Sequence, residues 1–70
     1  MGSLYKIIEE LRTADYVYFR NSAMGPVYRA KISEFNNRDK LGMPKHYEWE
    51  SSHMAWTMRK IHLQLQGKLK

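Results

Sequence analysis

The chain has 70 residues, a formal net charge of +5 at pH 7 and no cysteine. A chain of this length forms one small domain with a thin stability margin. No apolar run reaches the roughly 18–20 residues that a membrane-spanning helix needs. The absence of cysteine excludes disulfides, thiolate nucleophiles and Cys-ligated zinc. We therefore predict a single basic cytoplasmic domain over residues 1–70, with a vector remnant at 1–3 and a flexible basic tail at 67–70.

The first segment has the apolar spacing of a short amphipathic helix. Its stripe is formed by Leu4, Ile7, Ile8 and Leu11, and Ser3 is a suitable N-cap. About ten residues do not hold a helix alone in water, so this segment must pack on the rest of the domain. We predict a helix over residues 3–12.

Two strands are predicted next. Residues 15–20 are rich in β-forming residues and alternate, with Val17 and Phe19 on one face. The stretch 21–26 consists of turn residues and ends in a Gly-Pro pair that breaks regular structure. Residues 27–34 fit a second strand because the first one needs a partner. A helix that begins at Pro26 is the alternative, since Tyr28, Ile32 and Phe35 have helical spacing.

The C-terminal third ends in the longest helix of the prediction. Residues 36–44 are turn and loop material, and 45–50 form either a third strand or the start of the last helix. Ser51 and Ser52 are good N-cap residues, which favours a strand at 45–50 and a helix from about 52. Gly67 is the expected C′ residue at its end.

These elements predict the fold class. The order is helix, strand, strand, possible third strand, helix. Apolar stripes on both helices can lie on one face of an antiparallel sheet. We therefore predict a small two-layer α+β sandwich, with both helices on the same face of the sheet.

The last helix carries two apolar stripes. One has the i, i+4, i+7, i+11 spacing of a core-facing helix and consists of Met54, Met58, Ile61 and Leu65. The other lies on nearly the opposite side and repeats every seven residues. We predict that the first stripe packs in the core and that the second is a protein interface formed by Trp49, Trp56, Arg59, Lys60 and Leu63. The alternative is that Trp56 lies in the core and the methionine side packs elsewhere.

The central third of the sequence is basic and contains tyrosines. Residues 20–45 carry six lysines and arginines against two acidic residues. Tyrosines between cations suit phosphate neutralisation combined with base stacking. This pattern predicts a nucleic-acid-binding face formed by Tyr16, Tyr18, Arg20, Arg29, Lys31, Arg38 and Lys40. Exposed strands also carry Lys and Arg to prevent aggregation, which is the alternative.

Catalytic signals are weak. Glu50 and His53 make one E-x-x-H step, and His46 with Glu50 could pair on a helix, but neither is a complete metal-binding motif. The four glycines are scattered, so no phosphate-binding loop is present in the sequence. We predict no enzyme activity, no metal and no cofactor.

Two function classes follow. The first is a basic regulatory module that binds nucleic acid, by its sheet face and lysine-rich tail. The second is a protein-interaction module, an inhibitor or adaptor of the kind found in phages, that binds an acidic partner or a second copy through Trp56 and Leu63. Neither class involves a membrane or a small-molecule substrate.

Overall fold

The computed structural model describes residues 7–38 and 42–69. Its elements in chain order are β1 (Glu9–Arg12), β2 (Tyr16–Arg20), β3 (Val27–Lys31), α1 (Ile32–Asn36), β4 (Glu48–Ser51) and α2 (His53–Leu65). The four strands form one antiparallel sheet in the order β1-β2-β3-β4. The prediction of a small α+β domain built on an antiparallel sheet is confirmed.

The N-terminal segment differs from its prediction. Glu9–Arg12 form a strand, so the predicted helix over 3–12 is wrong there, while residues 3–6 lie outside the described part of the chain. The strand lies antiparallel to β2, which places Leu11 opposite Tyr18. This ladder gives the backbone polar groups partners across the sheet, whereas a ten-residue helix is marginal by itself.

A tight turn around Thr13 joins β1 to β2. The backbone amide of Thr13 donates to the carbonyl of Tyr16 at 2.8 Å. The Thr13 hydroxyl accepts from the Tyr16 amide at 3.0 Å. Ala14 and Asp15 are thus the two loop residues of a β-hairpin. Short hairpins are usually signalled by Asn-Gly or Asp-Gly, and neither pair occurs here, so the sequence pattern did not predict this one.

Residues 27–34 begin as the predicted strand and end in a helix, but that helix begins at Ile32 and not at Pro26 as the alternative had it. Val27–Lys31 form β3, and its register with β2 confirms the predicted strand pair. The chain then turns into α1, so the strand predicted to extend to 34 is wrong beyond Lys31. This helical turn brings Phe35 into full burial against Val17 and Phe19, which explains why the chain leaves the sheet.

The predicted ends of the last helix are confirmed, and so is the presence of a third predicted strand, although it covers Glu48–Ser51 rather than 45–50. Glu48–Ser51 form β4, and the side chain of Ser52 caps α2 by accepting from the Ala55 amide at 3.2 Å. At the other end, Gly67 has φ 70°, and the Lys68 amide donates to the Leu63 carbonyl at 2.9 Å. This pattern is a Schellman motif, which favours glycine at the left-handed position.

The helices cover opposite faces of the sheet. Phe35 of α1 packs with Val17, Phe19 and Ala30 in one cluster of buried side chains. The other cluster consists of Tyr18, Val27, Trp56 and Leu63, and it joins α2 to the other face. The prediction placed a helix over residues 3–12 and the last helix on one face of the sheet. Residues 9–12 are a strand instead, and the other helix of the structure, α1, lies on the face opposite α2. Successive residues of β2 point to opposite faces, and Val17, Tyr18 and Phe19 are all buried, so each face needs its own cover.

The orientation of α2 is the reverse of the predicted one. Trp56 and Leu63 are each 2% exposed, whereas Met54 is 87% and Leu65 is 82% exposed. Met58 and Ile61 are exposed as well. The centroid of the Trp56 ring lies 5.8 Å from the centroid of the Tyr18 ring. An indole buries more apolar area than a methionine, so the stripe with the tryptophan faces the sheet.

Two leucines on α2 provide a matched test of this orientation. We expect Leu63→Ala to lower the free energy of unfolding by about 2–5 kcal/mol, because it opens a cavity in the core. Leu65→Ala makes the same change two residues away and should alter the free energy of unfolding by no more than about 0.5 kcal/mol. Urea denaturation followed by circular dichroism at low protein concentration measures both. Equal losses for the two variants would contradict the orientation of α2.

Candidate protein-binding surface

The solvent side of α2 carries a continuous apolar surface, which we call the outer stripe. At 100° per residue its members fall within about 60° of arc around the helix axis. The outer stripe consists of Met54, Met58, Ile61 and Leu65. The sequence pattern identified these residues as a set but placed them in the core. All four are exposed, Ile61 the least at 41%.

The fully exposed side chains that border the outer stripe on α2 carry no formal charge at pH 7. The other exposed side chains of α2 and its C-cap are Ala55, Thr57, His62, Gln64 and Gln66. None of them contributes to the formal charge at pH 7. This surface is therefore apolar with a neutral polar border.

The two cations of α2 lie on the flanks that face the sheet. Lys60 Nζ is 3.2 Å from Glu9 of β1, and Arg59 Nε is 2.6 Å from Glu50 of β4. Each long side chain thus reaches one edge strand. Arg59 and Lys60 were predicted to border a protein interface beside Trp56, but they close the two sides of the α2–sheet contact instead.

Of the residues predicted to form a protein interface, only Trp49 is largely exposed. It lies opposite Tyr28 in the β3–β4 register and therefore on the face of the sheet away from α2. Trp56 and Leu63 are buried beneath α2. The structure therefore does not bring the predicted interface residues together on one open surface.

The predicted nucleic-acid-binding residues on the sheet do share one face, but α2 covers much of it. Tyr18 is buried in contact with Trp56. Arg20 Nε is 2.7 Å from Glu9. Arg29 stacks over the Tyr16 ring at 4.6 Å from its centroid. These side chains stabilise the contact between sheet and helix.

Tyr16, Arg29 and Lys31 still line an open groove of about 350 Å³ at one end of the sheet. Its wall also contains Glu34 and Glu48, and Glu48 is 3.1 Å from Arg29. The cations that are accessible in this groove are thus balanced by carboxylates. A phosphate backbone would find little net positive charge there.

The last two predicted nucleic-acid-binding residues are outside this groove. The Arg38 guanidinium lies 3.8 Å from the centroid of the Phe35 ring, in the cluster on the other face of the sheet. Its Nη1 donates to the Phe35 carbonyl at 2.8 Å. Lys40 lies outside the described residues. The seven predicted residues therefore do not form one open surface in the described parts of the chain.

Residues 7–38 and 42–69 contain no candidate metal site, since no group of three or more of their His, Asp or Glu side chains could hold a metal ion. Glu50 pairs with Arg59, and His53 Nδ1 is 3.3 Å from an Arg20 nitrogen. Within the same residues, no helix has the length and apolarity to cross a membrane.

Glu9 is a residue whose role the sequence pattern missed. It lies on β1 opposite Arg20, and its two oxygens accept separately from Arg20 and Lys60. Partial burial acts to raise the pKa of the Glu9 carboxyl. The hydrogen bonds and charges of the two cations outweigh that effect, so the pKa lies below its ordinary value. Only the tertiary contact between β1 and α2 creates this pairing, and a helical interpretation of residues 3–12 concealed it.

Comparison with known proteins gives no match: no protein-family model, no curated protein and no solved structure is significantly similar to the chain. We therefore infer the function from the geometry of the surfaces described above.

The lowered pKa of Glu9 gives a pH-dependent prediction. The folded state stabilises the ionised form of the Glu9 carboxyl, whereas the unfolded chain does not. The contribution of Glu9 to the free energy of unfolding is therefore complete above the pKa of the unfolded state, and it is lost as the pH falls through the pKa of the folded state. We expect Glu9→Gln to reduce the free energy of unfolding at neutral pH. The difference from the wild-type protein should shrink as the pH falls from about 7 to about 3.

The measurement is urea denaturation at a series of pH values. Glu10→Gln is the matched control, because among residues 7–38 and 42–69 Glu10 pairs only with Arg12, two residues away on the exposed surface. Exposed pairs of this kind contribute little, so this variant should stay close to the wild-type protein throughout. A Glu9→Gln deficit that is the same at every pH would argue against the pairing with Arg20 and Lys60.

Proposed function

We propose that the protein is a non-enzymatic protein-interaction module that binds through the outer stripe of α2. The observation that supports this proposal is the exposure of four large apolar side chains on one face of a capped helix. Burying such a side chain contributes about 1.5–3 kcal/mol. Burying several of them at once therefore offsets much of the cost of association, and a complementary apolar face on the partner adds its own contribution.

The chemistry of the outer stripe favours an apolar contact over an ionic one. An acidic partner would be recognised through accessible cations next to the surface. Arg59 and Lys60 are the only cations of α2, and both are paired with glutamates of the sheet. The partner is therefore expected to present a complementary apolar face, such as another amphipathic helix.

Nucleic-acid binding and a cytoplasmic location stay predictions. The three arginines on the strands, Arg12, Arg20 and Arg29, are each paired with a carboxylate. In the described residues the cations with no carboxylate within 4.0 Å are Lys31, Arg38, Lys45 and Lys68. They come from four different parts of the chain, and the groove that contains Lys31 also contains two glutamates.

A charge placed on the outer stripe tests the proposal. We expect Met58→Lys to abolish capture of protein by the immobilised chain in a nuclease-treated lysate of its source, because a lysine cannot be buried in an apolar contact without a partner. Met58 is exposed, so the circular dichroism spectrum and the urea midpoint should match those of the wild-type protein.

The matched control places the same new charge on the other face of the sheet. Trp49→Lys replaces another exposed apolar side chain and should leave capture intact. If capture survives Met58→Lys but is lost in Trp49→Lys, the binding surface is the β4 face and the proposal is wrong. Capture that disappears on nuclease treatment alone would support nucleic-acid binding instead.

A further inference from the structure

We propose that the occupant of the outer stripe is a second copy of this chain, bound so that the two α2 helices lie antiparallel. In this arrangement Met54 of one copy packs against Leu65 of the other, and Met58 packs against Ile61. The inference rests on the proposed function and adds the identity and orientation of the partner.

The spacing of the outer stripe is the first argument for a second copy. Its members are separated by four, three and four residues, and this series is the same when it is read in either direction. A two-fold axis near Arg59 and Lys60 therefore places every member of one stripe against a member of the other. Self-complementarity of this kind is what a two-fold dimer interface requires. Steps of four and three residues also suit left-handed packing of two helices at a small crossing angle.

Charge is the second argument. Two copies of a chain with formal charge +5 repel each other, so their contact must avoid bringing cations together. On α2 the surface that meets this condition is the outer stripe, because its border is neutral. The axis passes near Arg59 and Lys60, but both turn away from it and are neutralised by Glu50 and Glu9. The ion pairs on the inner side of α2 thus permit like chains to approach on the outer side.

The size of the surface sets the expected affinity. The 13 residues of α2 span about 20 Å. A contact along one helix of this length lies below the roughly 800 Å² per partner of a standard interface. We therefore expect a concentration-dependent dimer with a dissociation constant on the order of micromolar rather than an obligate dimer.

Sedimentation equilibrium over a range of concentrations tests self-association. The wild-type protein should shift from monomer to dimer, Met58→Lys should remain monomeric, and Trp49→Lys should behave like the wild-type protein. A wild-type chain that stays monomeric up to millimolar concentration would overturn the inference. In that case, loss of protein capture by Met58→Lys would show that the proposed function holds with a different partner. If Met58→Lys changes neither the sedimentation of the protein nor its capture of protein from the lysate, both proposals fail.

Single cysteines test the orientation, because the chain has none of its own. The variants Met54→Cys and Leu65→Cys are mixed in equal amounts under mildly oxidising conditions, and the linked dimers are separated by mass. In an antiparallel pair, two copies of position 54 are about 16 Å apart along the axis, too far for a disulfide, which needs Cα atoms about 4–7 Å apart. The mixed disulfide should therefore far exceed the half expected from random pairing.

A parallel pair would give the opposite result, since position 54 then meets position 54 and position 65 meets position 65. Excess of the two symmetric disulfides would thus refute the antiparallel arrangement. Random proportions would show collision rather than a specific contact, and they would refute it too. Met58→Lys introduced into both cysteine variants is the control, and it should reduce all cross-linking to the level of random collision.

Discussion

The packing of Trp56 and Leu63 against Tyr18 and Val27 determines how α2 lies on the sheet. Both α2 residues are almost fully buried, and they lie seven residues apart on one side of the helix. Two anchors on one stripe leave a helix no freedom to rotate about its axis. The positions of the flanking cations and of the outer stripe follow from this single contact.

The flanking ion pairs are consistent with that orientation. With Trp56 and Leu63 turned inward, Lys60 faces β1 and Arg59 faces β4, and each meets a glutamate there. Glu50 is also within 3.5 Å of Arg29, so the pairing continues onto the central strand β3. A helix turned by half a rotation would point both cations into solvent and leave partly buried Glu9 and Glu50 without them. Electrostatics and apolar packing thus favour the same orientation.

Local signals were sufficient for part of the fold. The β-forming run of β2, the cap at Ser52 and the left-handed Gly67 all depend on residues close in sequence, and the structure confirms each of them. The strand β1 depends on a partner that pairs with it in space, and its apolar spacing fits a helix equally well. Periodicity alone therefore could not separate the two structures.

The choice between the two stripes of α2 failed for a related reason. The outer stripe has four apolar residues and the opposite stripe has two, so the outer stripe resembled a core face. The adjacent cations made Trp56 resemble an interface residue. What decides the orientation is the shape and charge of the surface that α2 meets. Tyr18 offers an aromatic contact for the indole, and Glu9 and Glu50 offer carboxylates at the required separation. None of these relations can be read from α2 itself.

A small domain with two apolar stripes on one helix connects folding to association. The sheet buries the stripe that contains Trp56 and Leu63, so the contact that folds the chain also presents the outer stripe to solvent. On the proposed function, substitutions at Trp56 or Leu63 should alter binding by loosening the fold, whereas those at Met54 or Met58 should alter it with the fold intact. Since a partner that binds only the folded state stabilises it, the stability of the domain should then depend on partner concentration. The proposed association on the outer side of α2 would thereby stabilise the packing on its inner side.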